Sequence, residues 1–242
     1  MKRLTNIAEN IWEAVAPLKL PGLRMDHRMT VVRLANGELL VHSPIEYSAE
    51  LKSSLLELGE PRWFVAPSRF HDMFWPQWFG AFPKARFVAA PGVKQDHREL
   101  PFSDVLEENT NLWDGEISVL EIRGAPKLNE VALLHAPSRS LIVADLVFNI
   151  DATAQNALGR LFLRANGIYR KPGISRIYRS CIKERSAFIQ SLQQIQSHPF
   201  DRLIIGHGPN LGGNDVLHRA LQEAGLAEAR ERMVDAGVNM NR

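Results

Sequence analysis

Leu203-Ile204-Ile205-Gly206-His207-Gly208 sets an apolar run directly against a histidine held between two glycines. Arg202 to Ile205 reads as a short strand, the last in the chain, which the glycines and Pro209 bring to an end. A histidine placed there is hard to explain as core packing. Upstream, Val131 to His135 and Leu141 to Val147 are apolar runs joined by Ala136-Pro137-Ser138-Arg139, the pattern of a hairpin. Asp145 lies inside the second run, and a buried carboxylate needs a hydrogen-bond partner or a metal.

Further upstream, Ile11 to Leu18 reads as a first edge strand. Met29 to Leu34 and Glu38 to His42 flank Ala35-Asn36-Gly37, and Asn-Gly supplies the positive φ angles of a hairpin turn. Ser48 is placed to cap a helix carrying Leu51, Leu55, Leu56 and Leu58 up to Gly59. Trp63 to Ala66 is the next strand, followed by Pro67-Ser68-Arg69-Phe70-His71-Asp72 and an aromatic helix over Met73 to Phe82. Ala85 to Ala89 and Ile117 to Ile122 are strands, with polar, irregular sequence over 94–111. Residues 151–199 read as helical, broken at Gly167 and Pro172-Gly173, and a helical tail follows the last strand. Strand pairs, then alternation, then hairpins again argue for two packed sheets with helices outside, an α/β (α+β) architecture.

Hydrophobic residues make up 45% of the 242 and charged residues 23%, ordinary globular usage for a chain that can bury a large core. No repeat or linker divides it, so one domain over 1–242 is expected. The single cysteine, Cys181, fits a reducing, cytoplasmic setting. Met1-Lys2-Arg3 resembles a signal n-region, but Thr5, Asn6, Glu9 and Asn10 follow, so no secretory leader is expected. No apolar run suits a membrane span. A formal charge of +2 implies no nucleic-acid partner. The sequence contains no G-x-S-x-G elbow or P-loop, which removes serine hydrolase and nucleotide triphosphatase readings. Between Arg160 and Arg185 eight basic residues face one acid, Glu184. This basic helical insertion at about 151–185 reads as a solvated amphipathic segment. The sharper alternatives are a lid that recruits an anionic small-molecule substrate, or contact of 160–185 with a membrane surface.

Three segments together resemble the metallo-β-lactamase-like superfamily, in a divergent branch known as a domain of unknown function. They are Arg28-Met29-Thr30-Val31-Val32-Arg33-Leu34 with Val41-His42-Ser43-Pro44, Leu141-Ile142-Val143-Ala144-Asp145-Leu146-Val147-Phe148, and the Gly206-His207-Gly208 closure. The resemblance implies a four-layer αββα sandwich of two mixed β-sheets, with Asp145 and His207 as metal ligands. The superfamily's T-H-x-H-x-D-H signature is absent. In its register Pro67 and Arg69 replace the first two histidines, His71 takes the aspartate position and Asp72 the last histidine position, while Ala125 stands where a mid-chain histidine is usual. A two-metal centre is therefore not expected. The ligand set that remains is His71, Asp145 and His207, with Asp72 or Glu130 beside it. One divalent ion is implied, zinc ahead of iron or manganese, with Asp72 as general base. Asp72 has a second reading as the N-cap of the following helix. Gly206, Gly208 and Gly212-Gly213 could admit an anion to backbone N–H groups. His27, His42, His97, His135, His198 and His218 carry no motif and default to structural roles. Three functions stay open: a metal-dependent hydrolase, a non-catalytic binding descendant holding no metal, and an iron-dependent redox member.

Overall fold

The computed structural model of the protein describes residues 3–107 and 110–226. Met1-Lys2 and any helical tail beyond residue 226 lie outside the described residues. β1 (Thr5–Ala8), β2 (Ile11–Leu20), β3 (Leu23–Arg33), β4 (Glu38–His42), β5 (Glu60–Ala66), β6 (Arg86–Ala89) and β7 (Asp104–Val105) form one sheet in chain order. It is antiparallel as far as β4 and parallel from there on. Its parallel half is built through α1 (Ala49–Leu58), α2 (Trp75–Ala81) and α3 (Val93–Asp96). The second sheet contains β8 (Ile117–Glu121), β9 (Val131–His135), β10 (Ser140–Ile142), β11 (Arg202–Ile204) and β12 (Leu211–Gly212), in the order β12-β11-β10-β9-β8. Only β10 and β11 run parallel in it. α4 (Ala157–Ala165), α5 (Arg176–Ser180) and α6 (Arg185–Ser197) connect those two strands, and α7 (Gly213–Glu223) follows β12.

Period-two alternation decides which side chains go where. In β9, Val131 and Leu133 join the cluster between the sheets with Val32, Leu40, Val65, Ile142 and Ile204. Their neighbours Ala132 and Leu134 point the other way, onto Phe188 and Leu192 of α6 and Leu217 and Leu221 of α7. A strand buried on both faces lies between layers. On the outer face of the larger sheet, Phe64 stacks on Phe87 with ring centroids 4.9 Å apart and meets Trp78 of α2 at 5.5 Å. The result is a sandwich of two mixed sheets with helices on the outside.

Several expected boundaries move. Ile11 does not open an edge strand, because Asn10 at φ +57° turns β2 back on β1, which covers it. β10 stops at Ile142, so Asp145 stands in the loop beyond the strand. β11 is followed by β12 and is not the last strand. The 94–111 segment holds α3 and β7. The aromatic helix begins at Trp75 with Phe74, not Asp72, as its N-cap. The Asn36-Gly37 hairpin and the Ser48 cap, which accepts from Leu51 N, form as their chemistry dictates. None of the described helices is long and apolar enough to cross a membrane.

His42 sits in the middle of the larger sheet, buried, with neither ring nitrogen bonded to any described residue. Burial, reinforced by repulsion from His71, holds its pKa down at about 3. The folded ring is therefore neutral, whereas the unfolded chain takes up a proton near pH 6.5. Stability is intact above that pH and lost as pH falls from about 6.5 toward 3, by about 1.4 kcal/mol per unit. His42→Leu is expected to gain about 2 kcal/mol more at pH 5 than at pH 8, read from urea midpoints. Equal gains at both pH values would refute this coupling.

Candidate metal centre

Asp145 and His207 meet because of register. In the parallel β10–β11 pair Ile142 stands opposite Ile204, and each site residue lies three positions further on. The two segments stay side by side beyond the strands, through Val143 N to Ile204 O at 2.9 Å, Gly206 N to Ala144 O at 3.1 Å and Asn149 N to His207 O at 3.0 Å. Gly206 is required by close approach: a Cβ there would stand 2.6 Å from Ala144 O and 3.1 Å from His71 Cε1. Gly208, at φ +99°, would place a Cβ 1.9 Å from Asn149 O. Both positions exclude a side chain for reasons of space.

His71 arrives from the other sheet, five residues beyond β5. Its Nε2 lies 3.3 Å from His207 Nε2 and 3.5 Å from Asp145 Oδ2, and His207 Nε2 lies 3.2 Å from Asp145 Oδ1. All three side chains are buried, and their ligand atoms fall within 4.8 Å of one another. The protons can be placed. His207 Nδ1 is 2.6 Å from the carbonyl of Asp26, which only accepts, so Nδ1 carries the hydrogen and Nε2 keeps its lone pair. His71 Nδ1 is 2.5 Å from Ser43 Oγ, which also lies 2.8 Å from His27 Nε2. With His71 protonated on Nδ1, two imidazole lone pairs and a carboxylate converge on one point. Ligands at about 2.0–2.1 Å from a tetrahedral ion stand about 3.3–3.4 Å apart; the two imidazole nitrogens match this at 3.3 Å, and one Asp145 oxygen completes a set within 4.8 Å that one cation can draw together. The fixing of each imidazole by a hydrogen bond at its far nitrogen is the usual support of a metal-binding histidine.

Charge agrees with geometry. Burial pushes the Asp145 carboxyl up, but protonated His71 and His207 outweigh it and hold Asp145 well below the usual carboxylate range, the place a metal cation would take once Nε2 of both rings is free. Burial, helped by His71 and His207, keeps His27 neutral. Glu130, fully buried, accepts from the amides of Ala144, Asp145 and Leu146 at 2.8, 3.1 and 3.3 Å through one oxygen. It is no member of the cluster; it shapes the loop that presents Asp145. Burial, with the nearby Asp145 charge, raises its pKa to about 8. Arg28 secures the other loop: its backbone amide donates to Gly206 O at 2.9 Å and its guanidinium to the carbonyls of Ile205 and Gly208.

Asp72 lines the same cleft but stands outside the converging donors, with its carboxylate 3.0 Å from His97 Nε2. Arg69, in the second lost histidine position, is held by Asp96 at 2.6 and 2.7 Å, and Ala125 is buried. The amides of Gly206 and Gly213 donate to Ala144 and Asp201 carbonyls, so neither is free for an anion. His27, Ser43 and Arg28 carry no recognisable motif in sequence, although each sits within or beside the 28–34 and 41–44 segments. Their parts depend on partners more than a hundred residues away or in another strand.

No curated protein matches this sequence. Solved structures with similar folds include a metallo-beta-lactamase from Pontibacter korlensis, 15% identical, with 92% of this chain and 98% of that chain covered at TM-score 0.63. FIM-1 from Pseudomonas aeruginosa in its mono-zinc form is 10% identical, covering 93% and 97% at TM-score 0.65. The metal-soaked Flv1 flavodiiron core from Synechocystis sp. PCC6803 is 9% identical, covering 92% of this chain and 60% of that one at TM-score 0.64. At such identities the likeness speaks for the fold: a divergent metallo-β-lactamase-like domain with a His/Asp cluster able to bind metal. A family model matches residues 8–166, and the chain accordingly belongs to the family described as Domain of unknown function (DUF4336).

Proposed function

We propose that the protein is a metal-dependent hydrolase that works with one divalent ion, zinc ahead of iron or manganese, held by His71, Asp145 and His207. The carrying observation is the convergence of two oriented imidazole nitrogens and a carboxylate at 3.2–3.5 Å in a buried pocket that opens onto a cleft. An ion held by these three residues would supply an acidified water as nucleophile near neutral pH. Asp72, which follows His71 in the chain and lines the cleft, is the proposed proton acceptor. His97 holds its carboxylate at the cleft wall. Ser43 and the Asp26 carbonyl fix which nitrogen each histidine presents.

The test is hydrolysis of chromogenic aryl esters and phosphoesters by protein loaded with zinc, manganese or ferrous iron. Turnover is expected to stop on chelation and return with one equivalent of metal. Asp72→Asn should keep the metal and lose about 10²–10⁴-fold in turnover. A protein that takes up no metal would instead be a binding descendant of the fold, and this reading would be wrong.

A further inference from the structure

We propose that the cleft over His71, Asp145 and His207 binds the apolar chain of a long-chain acyl compound. Placing the acyl head at the metal rests on the hydrolase reading above; the chain site does not. The cleft has a volume of about 550 Å³, within the ~300–1,000 Å³ of small-molecule sites. Its walls are Leu23, Met25, Phe148, Ile150, Phe162 and Ile168, and its floor is the His/Asp cluster with His27. His27 is buried, and its Nδ1 has no partner among the described residues. The charged side chains of the wall, Arg69 and Asp72, are already committed to Asp96 and His97.

The basic insertion supplies mostly apolar lining and no cation. Phe162, Ile168 and Ile177 reach the cleft with Asn166 and Ser175, while none of its basic residues lines it. Arg164 and Arg170 lie over the Tyr169 ring, Arg176 donates to Ala165 O, and Lys171 pairs with Glu223. No basic side chain of the walls is left free for an anion. An apolar chain gains from every methylene it removes from water.

Apolar surface also continues outward from the cleft. Phe70 and Ile177 at the mouth are each 50% exposed, and Leu158 and Leu161 on the same helix as Phe162 are 62% and 61% exposed. Apolar surface kept uncovered in one region marks a binding site. A compact ring compound would use only the interior, whereas an extended chain uses interior and rim together. That continuity favours the chain.

The experiment measures binding of dansyl-undecanoic acid by fluorescence, on chelated and on zinc-loaded protein, with displacement by butyrate, octanoate and dodecanoate. Potency is expected to rise by about two- to fourfold per added methylene. Ile177→Asp and Phe70→Ser, both at exposed positions, should weaken binding about tenfold while leaving the melting temperature and the zinc stoichiometry unchanged. Equal potency of butyrate and dodecanoate, or unchanged binding in both variants, overturns the proposal. Probe binding to protein that takes up no metal would sink the hydrolase reading alone; metal uptake without probe binding would sink the chain site alone. Pelleting with phosphatidylglycerol-containing vesicles, lost in Ile177→Asp, supports a bilayer source for the chain. Displacement by monomeric acids without pelleting supports a free one.

Discussion

His207→Ala is expected to abolish stoichiometric binding of a divalent metal while the fold persists. The side chain supplies one of three converging donors, and its removal leaves a two-ligand site. Losing only a hydrogen-bond partner of a ligand typically costs ~10–100-fold in metal affinity, so losing the ligand itself should cost more. The imidazole also makes the 2.6 Å bond to Asp26 O and stacks on Phe148 at 5.2 Å, so a modest loss of stability accompanies the change. Isothermal titration with zinc, beside thermal unfolding of the same sample, separates the two effects. A folded variant that binds one equivalent as tightly as wild type would remove His207 from the site.

Glu130→Ala should be the most destabilising single change near the site. One carboxylate oxygen serves three consecutive buried amides, and truncation leaves all three without an acceptor. A buried donor left unpaired costs about 1–3 kcal/mol, so the total is expected to reach at least about 3 kcal/mol of a native stability of ~5–15 kcal/mol. Asp145 would lose its fixed position with it, and metal binding would fail together with the loop. Glu130→Gln keeps the acceptor oxygen. Because burial keeps the native carboxyl protonated up to about pH 8, the amide also matches its charge at neutral pH. Urea unfolding at pH 7 should show the glutamine variant within about 1 kcal/mol of wild type, or above it. If alanine and glutamine cost the same, the three-amide cradle is not what Glu130 provides.

The two substitutions probe the two kinds of information in this chain. His207 could be read from sequence because its setting is local: an apolar run, two flanking glycines and a place at a strand end. The same held for the Asn36-Gly37 turn, the Ser48 cap and the alternating strands, whose physics involves neighbours a few residues apart. Asp145 was visible as a carboxylate in an apolar run, although the run's strand proved to end three residues earlier.

Glu130 could be suspected only as a neighbour of the site, because nothing local distinguishes a buried glutamate that orders a loop from a solvated strand residue. The same holds for Ser43, which links two histidines from different segments. The cleft is a stronger case. The basic insertion reads in sequence as a solvated amphipathic segment, with an anion-recruiting lid as the alternative, yet Phe162, Ile168 and Ile177 from it reach the cleft beside Asn166 and Ser175, and none of its basic residues does. The sequence by itself determined the strands, turns and order of motifs, because those follow from dihedral preference and periodicity. Only the tertiary structure decided the site, because the β10–β11 register, the His71 loop from the opposite sheet and the orientation of the insertion are each set by pairings distant in the chain.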